Sequence, residues 1–254
     1  MGIDIGSSSS KAAIFRDGTE LVSKLVIPLG TGTSGSKQVY QAVLDGAGIT
    51  AEQLDYTVVT GYGRMKFEHA DEQISELSCH AVGVHHLLPT ARTVIDIGGQ
   101  DAKALQIGPT GKLANFVMND KCAAGTGRFL EVMSRVLDVP IEELGPMSEQ
   151  STREVSISST CTVFAESEVI SQLSAHVEIP DIIAGIHRSV AKRVAGMALR
   201  IGCTPDVAMS GGVALNTGIV RAMEKELGMT VLVHPDCQLA GAIGAALLAW
   251  EKIN

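Results

Sequence analysis

Two predicted β-strands near the start of the chain are joined by Asp4-Ile5-Gly6-Ser7-Ser8-Ser9-Ser10-Lys11, and two more in its second half are joined by Asp96-Ile97-Gly98-Gly99-Gln100-Asp101. In each segment an acidic residue lies near the end of an apolar strand, and glycine begins the turn. A single turn of this kind is common and carries little information. Two of them, each opening the same series of elements, indicate that the chain contains two related halves.

The first half begins as a β-meander. Short runs of apolar and β-branched residues predict strands at 3–5, 11–16 and 20–27, with a tight turn at Asp17-Gly18. Apolar residues at helical spacing predict helices at 36–47 and 75–88, with a buried strand at 56–60 between them.

The second half repeats the order strand, turn, strand, hairpin, strand, helix. Strands are predicted at 93–97, 101–107, 112–118, 207–209 and 231–233, and helices at 128–136, 164–173, 181–200, 213–227 and 240–251. Meanders that feed β-α-β crossovers predict an α/β protein of two domains with helices on the sheet faces. We expect the last helix to pack on the first domain, which gives domains of 1–90 plus 237–254 and of 91–236.

The two acidic turns carry groups that suit a phosphate site. Small residues let backbone N–H groups approach an anion closely, and a carboxylate at a strand end can hold Mg²⁺ through water. Asp4 and Asp96 are the candidate carboxylates, and Gln100 could orient a water molecule. The candidate binding residues are Gly6, Ser7, Ser8, Ser9, Ser10, Lys11, Gly98, Gly99 and Asp101.

A third glycine turn, Ser210-Gly211-Gly212-Val213-Ala214-Leu215-Asn216, lies between a short strand and a helix start. Without side chains, Gly211 and Gly212 would let an adenine or ribose lie against the backbone, and the helix N-terminus would face phosphate. Val213 and Asn216 complete this candidate site. The turn is not a Walker loop, because the pattern G-x-x-x-x-G-K-[ST] is absent from the chain.

Two cysteines lie just before predicted helices, in Asn119-Asp120-Lys121-Cys122-Ala123-Ala124-Gly125-Thr126-Gly127 and in Ser158-Ser159-Thr160-Cys161-Thr162-Val163-Phe164-Ala165-Glu166. Unpaired N–H groups and the positive end of a helix dipole favour a thiolate. We therefore expect Cys122 and Cys161 to lie at helix N-termini. For Cys79, Cys203 and Cys237, an inert core role is the simpler interpretation.

The composition limits the classes of function. A net charge of −8 without a cluster of Lys and Arg argues against a nucleic-acid partner. The apolar runs are too short for a transmembrane helix, and the N-terminus shows no signal peptide, so we predict a cytoplasmic protein. The 5 cysteines form neither a disulfide framework nor a C-x-x-C motif.

In order and separation, the three glycine turns resemble the phosphate-1, phosphate-2 and adenosine motifs of the actin, Hsp70 and sugar-kinase superfamily. The cysteine segments, together with Thr60-Gly61-Tyr62-Gly63-Arg64 and Asp181-Ile182-Ile183-Ala184-Gly185-Ile186-His187, are similar to the activator (component A) of 2-hydroxyacyl-CoA dehydratases. That group belongs to the BadF/BadG/BcrA/BcrD ATPase family. The resemblance extends over nearly the whole chain.

This resemblance implies two RNase-H-like domains with ATP or ADP in the cleft between them, and Mg²⁺ held by Asp4 and Asp96. It also implies a homodimer with one 4Fe-4S cluster, to which each chain contributes Cys122 and Cys161. The implied function is ATP-dependent transfer of one electron to a 2-hydroxyacyl-CoA dehydratase (component D) or a related acyl-CoA reductase. Reduced flavodoxin or ferredoxin would supply the electron.

Two other functions fit the same three turns. A small-molecule kinase acting on a sugar or an acid would use Asp96 as a base toward a hydroxyl, but the chain has few residues to spare for a substrate pocket. An actin-like or chaperone-like ATPase would bind nucleotide with no cluster, and its cysteines would be incidental. Iron content distinguishes the electron donor from both alternatives.

Overall fold

The computed structural model describes residues 1–254 and divides them into two compact units. Unit 1 comprises Met1–Ala91, Ile107–Ala114 and His234–Asn254, and unit 2 comprises Arg92–Gln106 and Asn115–Val233. The two sheets of the chain are both five-stranded and mixed. The predicted α/β fold with two related halves is therefore confirmed.

The sheet of unit 1 has the strand order β3-β2-β1-β4-β5. Its strands are β1 (Gly2–Ile5), β2 (Ser10–Arg16), β3 (Glu20–Ile27), β4 (Val58–Thr60) and β5 (Glu72–Gln73). The first three strands form the predicted antiparallel meander, and β4 pairs in parallel with β1. The helices of the unit are α1 (Gly35–Ala47), α2 (Glu76–Leu87) and α8 (Ala240–Glu251).

Both faces of this sheet are covered by helices. Ala12 and Ile14 of β2 belong to an apolar cluster with residues of α1, whereas Ala13 belongs to another cluster with Ala242 and Ile243 of α8. This alternation follows from the two-residue period of a strand, which sends successive side chains to opposite faces. Helix α8 also packs against α2 and β1, which places the C-terminal helix in unit 1.

The second sheet has the order β10-β9-β6-β7-β8. Its strands are β6 (Thr93–Ile97), β7 (Ala102–Ile107), β8 (Leu113–Asn119), β9 (Val207–Ser210) and β10 (Val231–Val233). All five residues of the central strand β6 are buried, as expected for a strand covered on both faces. The helices of unit 2 are α3 (Gly127–Leu137), α4 (Leu144–Ser148), α5 (Thr162–Ser174), α6 (Ile179–Arg200) and α7 (Thr217–Leu227).

One predicted helix differs from the structure, and two short elements are additional to the predicted ones. The helix predicted at 213–227 is divided into a 3₁₀ turn, Gly212–Leu215, and helix α7, because Asn216 caps α7 by accepting a hydrogen bond from Ile219 N at 3.1 Å. Strand β5 and helix α4 were not predicted. Both elements are short. Strand β5 consists of two polar residues and α4 contains Pro146, so neither shows the usual apolar period.

No helix of the chain combines the length and the apolar character that crossing a membrane requires.

Candidate functional site

Asp4 lies at the buried end of β1, directly opposite Lys11 in the antiparallel ladder with β2. Lys11 Nζ donates to Asp4 Oδ2 at 3.1 Å. The other carboxylate oxygen, Oδ1, is buried and accepts no hydrogen bond from the protein. A buried carboxylate oxygen without a partner is costly, and a metal-bound water or an ion would satisfy it.

Asp96 occupies the same place in unit 2. It lies opposite Lys103 in the ladder between β6 and β7, and Lys103 Nζ is 3.3 Å from Asp96 Oδ2. Lys103 is fully buried and also contacts Asp101 Oδ2 at 2.8 Å. Ser210 Oγ donates to Asp96 Oδ1 at 2.8 Å. Each half of the chain thus has an aspartate that faces a lysine on the neighbouring strand.

The two acidic turns also close in the same way. Gly6 N donates to Ser9 O at 3.0 Å, and Gly98 N donates to Asp101 O at 2.9 Å. In the first turn Ser8 is exposed and Ser7 is half-buried. Gln100 is exposed at the tip of the second turn.

The predicted binding residue Ser10 makes a structural contact. Its side chain is fully buried, and Ser10 Oγ donates to Leu29 O at 2.8 Å. Its hydroxyl thereby ties the first turn to the loop that precedes α1.

Each aspartate is approached closely by a glycine with positive φ. Gly61 follows β4, and a Cβ at this position would collide with Asp4 Oδ1. Gly211 follows β9, and its Cβ would lie 2.9 Å from Asp96 Oδ1. Glycine is needed at both turns because the backbone conformation is left-handed and the carboxylate leaves no room for a side chain.

In the third glycine turn, Gly212 is exposed, while Gly211 and Val213 are buried. Asn216 uses Oδ1 to cap α7, and its Nδ2 lies 3.3 Å from His187 Nε2. The Asn216 side chain therefore has partners within unit 2. Gly211 connects this turn to the surroundings of Asp96.

The expectation that Cys122 lies at a helix N-terminus is wrong. Helix α3 begins only at Gly127, and its first N–H groups are already used: Gly127 N donates to Gly98 O and Arg128 N donates to Gly99 O, each at 2.8 Å. Cys122 lies in the loop before the helix, where Asn119 Nδ2 donates to Cys122 O at 2.9 Å. The cysteine loop is thus bonded through α3 to the second acidic turn.

Cys161 does lie at a helix N-terminus, as predicted, because it is the N-cap of α5. The preceding residues are held in place by Glu168, whose Oε2 accepts from Ser158 N at 2.6 Å, and by Ser189, whose Oγ donates to Ser158 O at 2.9 Å. The Cys122 and Cys161 thiols are both half-buried and free of disulfide bonds.

The other three cysteines have different surroundings. Burial raises the pKa of the Cys79 thiol to about 12, although a hydrogen bond with Thr60 acts in the opposite direction. Burial also raises the pKa of Cys203, and Cys237 is buried. A thiol with a raised pKa is a poor metal ligand, since the thiolate is the binding form. No group of three potential metal ligands in the chain includes a cysteine.

Exposed apolar side chains adjoin both cysteine segments. Phe116 and Met118 lie on β8 before Cys122, and Val163 and Phe164 lie on the first turn of α5 after Cys161. Phe164 is 64% exposed. Where exposed apolar residues form a contiguous patch, they mark an interface with another protein.

Asp181, in the first turn of α6, holds the backbone of the polar segment at 151–153. Asp181 Oδ1 accepts from Thr152 N at 2.7 Å and from Arg153 N at 3.1 Å. Burial alone would raise the pKa of Asp181, but these N–H groups, the Ser151 hydroxyl and the Arg153 charge together hold it below its usual value. Burial lowers the pKa of His187 to about 4.

The sequence profile that describes the BadF/BadG/BcrA/BcrD ATPase family matches residues 1–249. The chain belongs to this family. It is 53% identical to the (R)-2-hydroxyglutaryl-CoA dehydratase activating ATPase of Acidaminococcus fermentans over 253 residues, which is 99% of this chain and 97% of that protein.

Solved structures of this ATPase family and of more distant proteins share the fold. The activator of the 2-hydroxyisocaproyl-CoA dehydratase from Clostridium difficile, solved with bound ADPNP, is 55% identical with a TM-score of 0.96, covering 99% of this chain and 94% of that one. A ROK family glucokinase from Streptomyces griseus is 14% identical with a TM-score of 0.58, covering 98% of each chain. The second likeness shows the fold alone, which is the RNase-H-like fold predicted from the sequence.

Two features of this family member were missed in the sequence. Lys103 is not among the predicted site residues, although it follows Asp96 at the same separation of 7 residues as Lys11 follows Asp4. That repeated spacing is a signal that could have found it. Gly61 was noted only as part of a motif, and its contact with Asp4 depends on the parallel pairing of β1 with β4, which one sequence does not specify.

Proposed function

We propose that this chain is an ATP-dependent activator that passes one electron to a 2-hydroxyacyl-CoA dehydratase through a 4Fe-4S cluster shared by two copies of the chain. One observation carries the proposal: the loop that holds Cys122 leads into a helix that is hydrogen-bonded to the Asp96 turn. A candidate nucleotide-binding turn and a candidate iron ligand are thereby connected by hydrogen bonds within one unit. Membership of an ATPase family supports the nucleotide half of the proposal.

The nucleotide site would use both acidic turns. Asp4 and Asp96 would hold Mg²⁺ through water, for which the unpartnered Asp4 Oδ1 is suitably buried. The turn backbones, with Ser7, Ser8, Ser9 and Lys11 in one and Gly98, Gly99 and Asp101 in the other, would bind phosphate oxygens. Gln100 would orient the attacking water, and the turn of Gly211 and Gly212 would bind adenosine. Hydrolysis would depend on positioning and charge neutralisation.

These sites would belong to the two RNase-H-like domains, 1–90 plus 237–254 and 91–236. In the second of these domains, the Asp96 turn and both cysteine loops lie in the same unit of the structure.

The cysteine set fits an iron–sulfur cluster only if two chains contribute. Such a cluster needs four thiolates. Cys122 and Cys161 are half-buried with free thiols, whereas burial disfavours the Cys79 and Cys203 thiolates. Two ligands per chain therefore call for a two-fold homodimer. When bound, the cluster would supply one-electron chemistry.

The hydrogen bonds from Gly127 N and Arg128 N to the Gly98 and Gly99 carbonyls would couple the nucleotide site to the Cys122 loop. If ATP binding moves the Asp96 turn, helix α3 moves with it and carries the Cys122 loop. Nucleotide binding can drive electron transfer only to the extent that ATP favours one conformation over the other. Reduced flavodoxin or ferredoxin would supply the electron, and a component D dehydratase or a related acyl-CoA reductase would accept it.

The decisive experiment is an iron and acid-labile sulfide determination on protein purified without oxygen, with Cys122→Ser, Cys161→Ser and Cys203→Ser variants. Cys203 is the matched control, because it is also half-buried in unit 2 but lies outside both loops. We expect about four irons per dimer in the wild type and the control. Both loop variants should lose the iron.

Iron-free wild-type protein that still hydrolyses ATP would overturn the electron-donor function. Hydrolysis that then requires a sugar or an acid would indicate a kinase. Nucleotide-dependent filaments, or binding of unfolded clients without iron, would indicate an actin-like or chaperone-like ATPase.

A further inference from the structure

Two residues one turn apart on α6 hold the backbone in front of Cys161. Ser189 Oγ donates to Ser158 O, and Arg193 Nη1 donates to Ser159 O, both at 2.9 Å. Arg193 Nη1 also lies 3.5 Å from Thr160 O. Three consecutive carbonyls are thus directed toward one helix, and the last two are held by a single guanidinium.

The same arginine also touches the loop of Cys122. Gly125 has a φ of +85°, and a Cβ on it would lie 2.9 Å from Arg193 Cδ and 3.5 Å from Arg193 Cγ. The aliphatic part of Arg193 therefore packs against the backbone of this loop. A side chain at position 125 would be strained by the backbone conformation and would displace the arginine.

The charge of Arg193 is balanced by no acidic side chain. Arg188 on the same helix forms an ion pair with Glu154, and Arg153 forms one with Asp181. No carboxylate oxygen lies within 4.0 Å of the guanidinium nitrogens of Arg193. A cation held only by neutral carbonyls retains its attraction for an anion, and it lies beside the two loops that carry free thiols.

We propose that Arg193 is a positioning residue that fixes the loops of Cys122 and Cys161 relative to each other and provides positive charge beside the cluster they would bind. The charge part of the proposal rests on the proposed function, because a thiolate-bound iron–sulfur cluster is anionic. The positioning part concerns the protein alone. Groups surrounding metal ligands orient them and tune the metal in this way.

The positioning role is tested by hydrogen exchange on iron-free protein, which needs no cluster. Arg193→Met keeps much of the aliphatic part but removes the donors and the charge, whereas Arg193→Ala removes both. We expect Arg193→Met to accelerate exchange in 158–162 by roughly tenfold, and Arg193→Ala to accelerate it in 122–127 as well. Arg188→Ala, the matched control, should accelerate neither segment.

The charge role is tested on the iron-loaded dimer. We expect Arg193→Met to lose iron to a chelator about 10- to 100-fold faster than the wild type. Its midpoint potential should fall, because loss of a nearby cation disfavours the more negative reduced state. Arg193→Lys keeps the charge but changes the hydrogen-bonding geometry. Its midpoint potential should therefore be close to that of the wild type, while its loops should still be less protected from hydrogen exchange. It also keeps the test possible if the neutral variants are unstable.

Unchanged exchange in both loops of Arg193→Ala would overturn the positioning role, and so would an equal acceleration in Arg188→Ala. A midpoint potential that is the same in Arg193→Met and the wild type would overturn the charge role. If the wild-type protein contains no iron, the proposed function fails, while the exchange experiment still decides whether Arg193 holds the two loops.

Discussion

Lys103 lies directly across the β6–β7 ladder from Asp96, with its Nζ 3.3 Å from Asp96 Oδ2 and both side chains almost fully buried. Lys11 lies across from Asp4 in the same register, at 3.1 Å. In each pair the lysine holds one carboxylate oxygen, which also fixes the position of the other oxygen. The duplicated fold therefore presents each half with an aspartate that is already oriented.

Replacing Lys103 with Met should destabilise the protein strongly. It removes one partner of a buried ion pair and leaves Asp96 and Asp101 facing each other, for which a cost of about 3–5 kcal/mol is typical. Lys11→Met should cost less, because the Lys11 side chain is 13% exposed and that of Lys103 only 1%. Chemical denaturation followed by circular dichroism measures the difference.

The double variant Lys103→Met with Asp96→Asn serves as the control. It should recover part of the stability, since one of the two negative charges that Lys103 contacts is gone, but it should not recover ATP hydrolysis. Equal midpoints of unfolding for Lys103→Met and the wild type would contradict the importance of this pair.

Asp4→Asn should impair catalysis and also lower the stability of the fold to some extent, because Lys11 loses its charged partner. The amide has nearly the same shape but removes the negative charge that would hold Mg²⁺, so we expect ATP hydrolysis to fall about 10²-fold. Nucleotide affinity should become less sensitive to Mg²⁺. Phosphate release and equilibrium binding of a fluorescent nucleotide, each with and without Mg²⁺, measure these effects. Mg²⁺-dependent binding equal to that of the wild type would show that the ion is held elsewhere.

The sheets could be predicted from the sequence because their signal is local. The strands at 20–27 and 93–97 and the helix at 240–251 have the predicted bounds, since apolar period and turn residues agree at each of them. Two further predictions failed where a cap or a tertiary hydrogen bond competes with the local pattern. Asn216 interrupts one predicted helix. The start of α3 was predicted to within one residue, but Cys122 was placed too close to it, and the first N–H groups of that helix are used by carbonyls of a distant turn.

The sequence could predict which residues form the candidate site, but not which of them contact one another. Asp4 and Asp96 stand out because their turns are repeated, and Cys122 and Cys161 because their segments resemble a family. Contacts such as Arg193 with Ser159 join residues far apart in the chain, at |i−j| = 34, and no local pattern marks them. The arginine itself looks like any charged residue on the face of a helix.

Phe164→Arg should weaken the proposed dimer. Phe164 is 64% exposed next to Cys161, and a charge there would be costly to bury in an interface. We expect a larger monomer fraction in sedimentation at a given concentration, and less iron per chain. Leu199→Arg is the control, because Leu199 is 55% exposed on α6 and lies far along the chain from both cysteines. If both variants dimerise as the wild type does, the interface does not include the start of α5.

His187→Gln should make the stability of the protein less sensitive to acid. Burial lowers the pKa of His187 from its ordinary 6.5 to about 4, so the folded state keeps this residue neutral where the unfolded chain takes up a proton. Stability is therefore lost as the pH falls from about 6.5 toward 4, by an amount on the order of 3 kcal/mol, and the loss levels off below that range. The Asp181 contribution disappears only at lower pH, because the pKa of that carboxyl lies below its usual 3.8.

Urea denaturation at pH 7.5, 5.5 and 4.5 should show a flatter profile of stability against pH for His187→Gln than for the wild type. His86→Gln, which changes an exposed histidine, should follow the wild type. Parallel profiles for all three proteins would mean that His187 is not kept neutral by the fold.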